Sequence, residues 1–262
     1  MSQSRVAQSI HYKRNPNRMP IHVFVPPSCI LDDTAEITGA DFHHLARVLR
    51  VRAGERIVLL DNTGFVYRGA IHQINRRSIT AAGLVREPGP VEPMPAIYLA
   101  QAMVRGERLD EVIQLGCQVG ISAFWPLMTN RGLNGWSIEK EAEKLERWRS
   151  IAKAAAEQSK RTRIPPIEKP STLAETRQRY SDALAVLLHP FEPAIALKRL
   201  LNGQATPPSE ILLVVGPEGG FDPAEIEEAI DLGFHIATIG KTILRTELAG
   251  AVAAARIFHH YE

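Results

Sequence analysis

Beyond residue 95 the chain is dominated by uninterrupted apolar runs, and these restrict its architecture more than any other feature. They are AIYLAQAM (96–103), ISAFWPLM (121–128), ALAVLLH (183–189), EILLVVG (210–216) and HIATIG (235–240). A strand with one wet face alternates apolar and polar residues, whereas a strand without alternation is covered on both faces, as in a parallel sheet flanked by helices. Helical patterns fill most of the intervals. The longest, over residues 138–158, sets Ile138, Ala142, Leu145, Trp148, Ala152 and Ala155 on one side and Glu, Lys and Arg on the other. The spacing predicts an α/β domain over residues 96–262, with helices closing both faces of a parallel sheet.

The first ninety residues have a different rhythm. IHVFV from Ile21, TAEIT, ERIVLLD, FVYRGAIHQI and SITAAGLV are short strand patterns. Turn signals at Asp61-Asn62-Thr63-Gly64 and Asn75-Arg76-Arg77-Ser78 separate them, which predicts a small β-barrel over 21–90. One helix interrupts the strands, since Phe42, Leu45, Val48 and Leu49 recur at helical spacing behind Asp41. The proline-rich joint EPGPVEPMP (87–95) divides the two rhythms, so residues 91–95 read as a linker and residues 1–20 as a basic flexible tail. IPPIEKP (164–170) cannot be helical and reads as a loop.

Of the 262 residues, 45% are apolar and 23% charged, which excludes a disordered or fibrous chain. Lys and Arg number 31 against 29 acids, a net charge of +2 that by itself identifies no partner. The mean conceals a gradient: residues 1–90 carry 12 basic and 7 acidic side chains, residues 91–170 carry 12 and 10, and residues 171–262 carry 7 and 12. Cys29 and Cys117 stand far apart without metal-ligand spacing, so both are expected reduced and buried, with no metal site. No run reaches the roughly 18 apolar residues of a membrane span, and the first twenty residues lack the apolar core of a signal peptide. The expectation is a cytoplasmic protein with no membrane partner.

Two loops concentrate the chemistry. Gly216-Pro217-Glu218-Gly219-Gly220-Phe221 follows an apolar strand and precedes a well-marked helix start, with Asp222 as N-cap, Pro223 at the first position and Glu225 completing a capping pair. Neither the phosphate-loop pattern nor the dinucleotide fingerprint is present, yet three glycines permit close approach of backbone to a ligand. Lys241 to Glu247 then leads from the last strand into the last helix, Leu248 to about His259. Loops at the carboxyl ends of parallel strands are where such sheets bind ligands. Arg245 and Glu247 are either ligand contacts or an ion pair at the helix start.

GPEGGF, IGKTILRTELA (239–249), AEQSKRTRIPP (156–166) and HHLARVLRVRAGE (43–55), taken in order, closely resemble the RsmE-type ribosomal RNA methyltransferases of the SPOUT superfamily. The resemblance covers the chain from about residue 21 onward. It implies transfer of a methyl group from S-adenosylmethionine to N3 of a uridine in 16S ribosomal RNA of the small subunit, leaving S-adenosylhomocysteine, without a metal. It also implies an N-terminal PUA-like barrel and a C-terminal α/β domain tied in a trefoil knot, which sequence rules alone would not propose. The implied cofactor contacts are Leu188, His189 and Pro190 at one strand end, Gly216, Pro217, Glu218, Gly219 and Gly220 after the next, and Ile239 with Gly240 after the last. Ile243, Leu244, Arg245, Thr246, Leu248 and Ala249 complete them. Leu248 departs from the family pattern, which has a second Thr there.

A uridine N3 keeps its proton at neutral pH, so the site must accept that proton or stabilise the developing anion. Arg245 is the candidate oxyanion partner, and Glu218 or Glu247 the candidate acceptor. Candidate RNA contacts are Arg47, Arg50 and Arg52 in the first part of the chain and Lys160, Arg161 and Arg163 beside the proline-rich loop. His43 and His44 match the family's paired histidines without a catalytic role. Ribose 2′-O-methylation and a non-catalytic role in ribosome assembly are the alternatives, and the first is disfavoured because LAQAMVRGERLD (99–110) lacks the Asn of the ribose enzymes. The last helix is small or apolar on every side from Leu248 to Ala255, with Ala249, Gly250, Ala253 and Ala254 permitting close approach, so a homodimer through the C-terminal domain is expected.

Overall fold

The structure, a computed structural model, describes residues 19–104, 106–132, 141–191 and 193–262; most of the N-terminal tail and the start of the helix expected from residue 138 lie outside the described residues. The chain divides into two compact units, Met1–Val91 and Glu92–Glu262.

Unit 1 is a six-stranded sheet built from β1 (Ile21–Phe24), β2 (Ile30–Leu31), β3 (Thr34–Ile37), β4 (Arg56–Leu60), β5 (Phe65–Ile74) and β6 (Ile79–Pro88). The spatial order is β1-β4-β5-β6-β3-β2, antiparallel throughout except for the β1–β4 pair. Its core gathers Val23, Ile37, Phe42, Leu45, Ile57, Leu59, Ile71 and Ile79. The β5–β6 ladder slips near Arg68 and again near Ile71. Gly69 sits at the first slip, where a Cβ would lie 2.7 Å from the Ala82 carbonyl oxygen of the facing strand. The expected helix begins as α1 (Gly39–His43) but continues as a π-helical turn over His44–Val48, closed by Leu49 N–H donating to the His44 carbonyl at 3.0 Å. That widening turns Val48 out of the apolar face, so it is exposed although the 3.6-residue period would bury it. Arg47, Arg50 and Arg52 all lie exposed along and just after this segment.

Unit 2 holds the expected parallel sheet: β7 (Ala96–Ala102), β8 (Ala123–Leu127), β9 (Leu184–Leu188), β10 (Ile195–Ala196), β11 (Glu210–Val215) and β12 (His235–Thr238). The order is β10-β12-β9-β11-β7-β8, with every pair parallel. β11 lies between β7 and β9, and its residues Ile211 to Val215 are all buried, as the unbroken apolar run requires. Among the described residues six helices accompany the sheet: α2 (Arg108–Val119), α3 (Glu141–Ser159), α4 (Leu173–Arg179), α5 (Leu197–Asn202), α6 (Pro223–Asp231) and α7 (Thr246–Tyr261). The 164–170 stretch, expected to be a loop, runs beside β8. Phe124 N–H donates to Pro166 O, Glu168 N–H to Phe124 O and Ser171 N–H to Pro126 O. Prolines are tolerated there because an edge leaves one row of backbone groups unpaired in any case.

Three further expectations are corrected. The small residues of α7 face their own unit: a Cβ on Gly250 would sit 2.9 Å from Leu99, and Ala253 and Ala254 are fully buried without a second chain. Leu248, Ala255, Arg256 and His259 are the exposed positions. Small size therefore serves close packing of α7 on its own sheet. Cys29, expected buried, is half-buried, whereas Cys117 is buried, and burial raises its thiol pKa.

Arg161 is the third correction, because it is not presented to solvent for an RNA phosphate. α3 ends in a Schellman turn: Lys160 takes φ +61, its N–H donates to Glu157 O at 3.3 Å, and Arg161 N–H reaches back to Ala156 O at 2.9 Å. The turn sends the Arg161 side chain inward, where it is only 9% exposed. Nε and Nη2 donate to Glu92 Oε2 at 2.9 and 2.6 Å, and Nη1 to the carbonyls of Cys117 and Ile121 at 3.0 and 2.7 Å. Arg161 thus ties the end of the interdomain joint to the α2–β8 turn, while Lys160 and Arg163 remain exposed. Arg161→Ala strips a partly buried carboxylate and two carbonyls of their donor, so a loss of about 3 kcal/mol is expected. In a thermal melt that is a drop of roughly 6–12 °C, with the exposed-site variant Arg47→Ala unchanged as control.

Candidate functional site

Because β9, β11 and β12 are parallel, their carboxyl ends emerge together, and a cavity of about 770 Å³ opens there. Each of its three walls begins where a strand stops. Leu188 closes β9 and leads into His189 and Pro190, with His189 N–H donating to Ala237 O at 2.9 Å. Gly216 to Phe221 follow β11, and Ile239 to Glu247 run from β12 into α7.

The GPEGGF loop is a tight turn closed by Gly220 N–H donating to Pro217 O at 2.9 Å, with Gly220 at φ +68. A Cβ on Gly216 would lie 2.9 Å from the buried Phe221 ring. The fold itself therefore demands glycine at 216 for space and at 220 for conformation. Gly219 is different: its φ is ordinary, and a Cβ would meet nothing closer than Arg131 Cβ at 3.6 Å. A glycine that the fold does not need, on a cavity wall, leaves backbone open to whatever enters.

The loop is fixed from three directions. The expected capping box of α6 is complete, with Asp222 Oδ1 accepting from Ala224 N–H at 3.2 Å and Glu225 Oε2 from Asp222 N–H at 2.7 Å. Arg131 donates to Gly219 O and Phe221 O at 3.2 and 3.3 Å and pairs with Asp222. From below, Thr246 Oγ1 donates to Gly216 O at 2.5 Å and accepts from Gln101 Nε2 at 2.9 Å. Gln101 is 1% exposed, and its Oε1 has no partner. This chain joins β7, the loop after β11 and the first turn of α7 in one buried tie.

Of the residues anticipated from sequence, Leu188, His189, Pro190, Gly216, Pro217, Glu218, Gly219, Gly220, Ile239, Ile243, Leu244, Arg245, Thr246 and Ala249 line this cavity, and Glu247 joins them. Gly240 and Leu248 do not: Gly240 faces a second cavity, and Leu248 is 40% exposed on the outer side of α7. Glu218 accepts a hydrogen bond from Arg108 across the cavity mouth. Among the described residues Arg245 and Glu247 enter no ion pair, so the helix-start pairing does not form. Arg108 and Arg131 are the residues that sequence reasoning missed. They lie 110 and 88 positions from their loop partners, and no local spacing announces such contacts. Lys160, Arg163, Arg47, Arg50 and Arg52 are not on the cavity wall. Among the described residues no group of three or more His, Cys, Asp or Glu could hold a metal, and no helix is long and apolar enough to cross a membrane.

Burial lowers the His189 pKa below its usual 6.5, so the imidazole on the cavity wall is neutral at pH 7. As pH falls below 6.5 the unfolded chain takes up that proton before the folded one, and stability declines over that range. An NMR titration is expected to place the His189 midpoint below 6.5; a midpoint at or above it would contradict the burial argument. Thr246→Val keeps the volume but removes the hydroxyl, leaving Gly216 O without this donor and the Gln101 amide with only its long bond to Ala102 O at 3.5 Å. The expected cost is about 1–3 kcal/mol in denaturant unfolding.

Residues 91–258 match the model of a family described as an RNA methyltransferase domain, and residues 37–82 match an RNA methyltransferase PUA domain. The ribosomal RNA small subunit methyltransferase E of Synechocystis sp. is 34% identical over 241 residues, 91% of this chain and 77% of that protein. The protein of that name from Mycobacterium bovis is 33% identical over 227 residues, 85% of each chain. Among solved structures, a methyltransferase of Legionella pneumophila in complex with S-adenosylmethionine superposes with a TM-score of 0.85 at 27% identity, covering 93% of this chain and 98% of that one. Ribosomal RNA small subunit methyltransferase E of Neisseria gonorrhoeae, bound to the same molecule, gives 0.83 at 27% identity over 92% and 98%. By its cavity-forming domain and by overall identity, this chain belongs to the ribosomal RNA small subunit methyltransferase E family.

Proposed function

We propose that this protein transfers the methyl group of S-adenosylmethionine to N3 of a uridine in 16S ribosomal RNA. The observation that carries the reading is the strand-end cavity, whose wall includes a glycine that the fold does not require. Its residues suit the cofactor. Leu188, Ile239, Leu244 and Ala249 offer apolar walls to a flat base, and exposed backbone in the Gly216–Gly220 turn offers hydrogen bonds. Neutral His189 adds no charge to repel a sulfonium. S-adenosylmethionine supplies an electrophilic methyl group.

The remaining chemistry belongs to the chain. The uridine imide must give up its N3 proton as the nitrogen becomes nucleophilic, and negative charge then spreads to the flanking carbonyl oxygens. Arg245, on the cavity wall and without an ion-pair partner among the described residues, donates to one of those oxygens. Glu247 accepts the proton; Glu218 is less suited because Arg108 already occupies its carboxylate. Positioning of the base in line with the methyl group supplies much of the acceleration. Exposed Arg47, Arg50, Arg52, Lys160 and Arg163 contact RNA phosphates. The same reading carries a PUA-like barrel in unit 1, a trefoil knot in unit 2 and work in the cytoplasm on the small ribosomal subunit. A homodimer through unit 2 is proposed on the outward Leu248, exposed and apolar, in place of the small residues of α7.

Nucleoside analysis of small-subunit RNA from a strain lacking the gene tests the activity. N3-methyluridine is expected to disappear and to return on complementation, and its persistence would refute the proposal. For the cofactor, Gly219→Val is expected to fold like wild type, since its Cβ makes only an ordinary contact, and to lose S-adenosylmethionine affinity at least about tenfold in calorimetry. Undiminished affinity would remove this loop from the cofactor site.

A further inference from the structure

A second cavity, of about 620 Å³, adjoins the first along Thr238 and Ile239. Its floor is apolar: Ala196 from β10, Leu197 and Leu201 from α5, and Ile239. Its other groups are basic or protonatable. Lys198 comes from α5, Lys241 from the loop after β12, and Arg256, His259 and His260 from the last turns of α7. Positions 256, 259 and 260 follow the i, i+3, i+4 rule, so a single helix face delivers all three. Among the described residues no carboxylate lines the cavity. This is notable because residues 92–262 carry 22 acidic against 19 basic side chains, so cations gathered here run against the local excess. Arg256 also donates to Ile239 O, which holds its guanidinium at the seam between the two cavities.

An apolar floor alone would suit a hydrocarbon, and a ring of cations alone would suit a bare anion. The two together fit a nucleotide, whose base packs on apolar side chains or an imidazole while its phosphate meets Lys and Arg. The volume falls in the range of small-molecule pockets. Continuity with the methyl-transfer cavity decides between a free nucleotide and one within a strand: an occupant here lies beside the occupant there. We propose that this second cavity is a subsite for a nucleotide of the substrate RNA flanking the methylated uridine, with Lys198 and Lys241 on its phosphate and Ala196 and His259 against its base. The proposal rests on the RNA-methylating reading given above.

The test uses the full chain, S-adenosylmethionine and purified small-subunit ribosomal RNA. Lys198→Glu with Lys241→Glu, both at exposed positions, is expected to weaken RNA binding about tenfold or more and to flatten its salt dependence by more than one unit of slope. KM for RNA should rise with it, while cofactor affinity stays as in wild type. Ala196→Trp fills the floor without changing charge; it should weaken RNA binding and leave the salt slope as it was. RNA carrying 4-thiouridine beside the target should crosslink to peptides spanning 196–201 or 256–260. Wild-type RNA affinity and salt slope in both variants would overturn the subsite. So would crosslinks confined to other segments, or uridine monophosphate bound through Lys198 and Lys241 with RNA affinity untouched. RNA affinity is read without turnover, so a wild type that binds RNA through this cavity but transfers no methyl group would refute the proposed activity and leave the subsite standing.

Discussion

The parallel register of β11 between β7 and β9 is the constraint from which the site follows. Three strands pointing one way must end at one edge, and every connection leaving that edge must turn there. Strands buried on both faces have no room for polar side chains along their length, so the polar chemistry of the domain is displaced to their ends. Val215 is buried core and already lines the cavity, and Gly216, the next residue, continues the wall.

Strand ends place loops near one another but do not hold them. The holding is done by groups remote in sequence: Thr246 under Gly216, Gln101 beside Thr246, and Arg131 over Gly219 and Phe221. Each satisfies backbone or side-chain polar groups that would otherwise be unpaired in or near the interior. The Thr246 hydroxyl both donates and accepts, a double role that no apolar isostere can fill. The Gln101 carbonyl oxygen, buried and unpartnered, is the one weak point of this tie, a polar group whose cost the rest of the tie must offset.

Sequence made the sheet legible because burial on both faces leaves a one-dimensional trace, an apolar run with no alternation. It made the helix after GPEGGF legible because a capping box is a local device, complete within Asp222 to Glu225. What it hid was what depends on direction. Val48 keeps the period of a helix, but one π-turn carries it to solvent. IPPIEKP reads as a loop because prolines bar a helix, yet nothing bars them from an edge. The small residues of α7 signal a close approach without saying to what, and the neighbour is Leu99 of the same chain. Arg108 and Arg131 carry no local signal at all, since their partners are a fold away.

Arg161 and Arg163 show the limit most sharply. Two residues apart in one basic motif, they are indistinguishable by composition, and both read as phosphate ligands. The difference is made by the helix end. With Lys160 in the left-handed conformation, Arg161 occupies the position whose N–H bonds back to the helix, and its side chain is directed toward Glu92 and two carbonyls. Arg163, beyond the turn, is exposed. A basic cluster seen in sequence is therefore a count of charges before the fold has assigned them. In a unit whose acids outnumber its bases, attraction of a polyanion depends on where the assigned cations stand, because salt screens exposed charges beyond about 10 Å. Cations such as those lining the second cavity, with no lining carboxylate among the described residues, act on an approaching strand in a way that the net charge of the unit does not foretell.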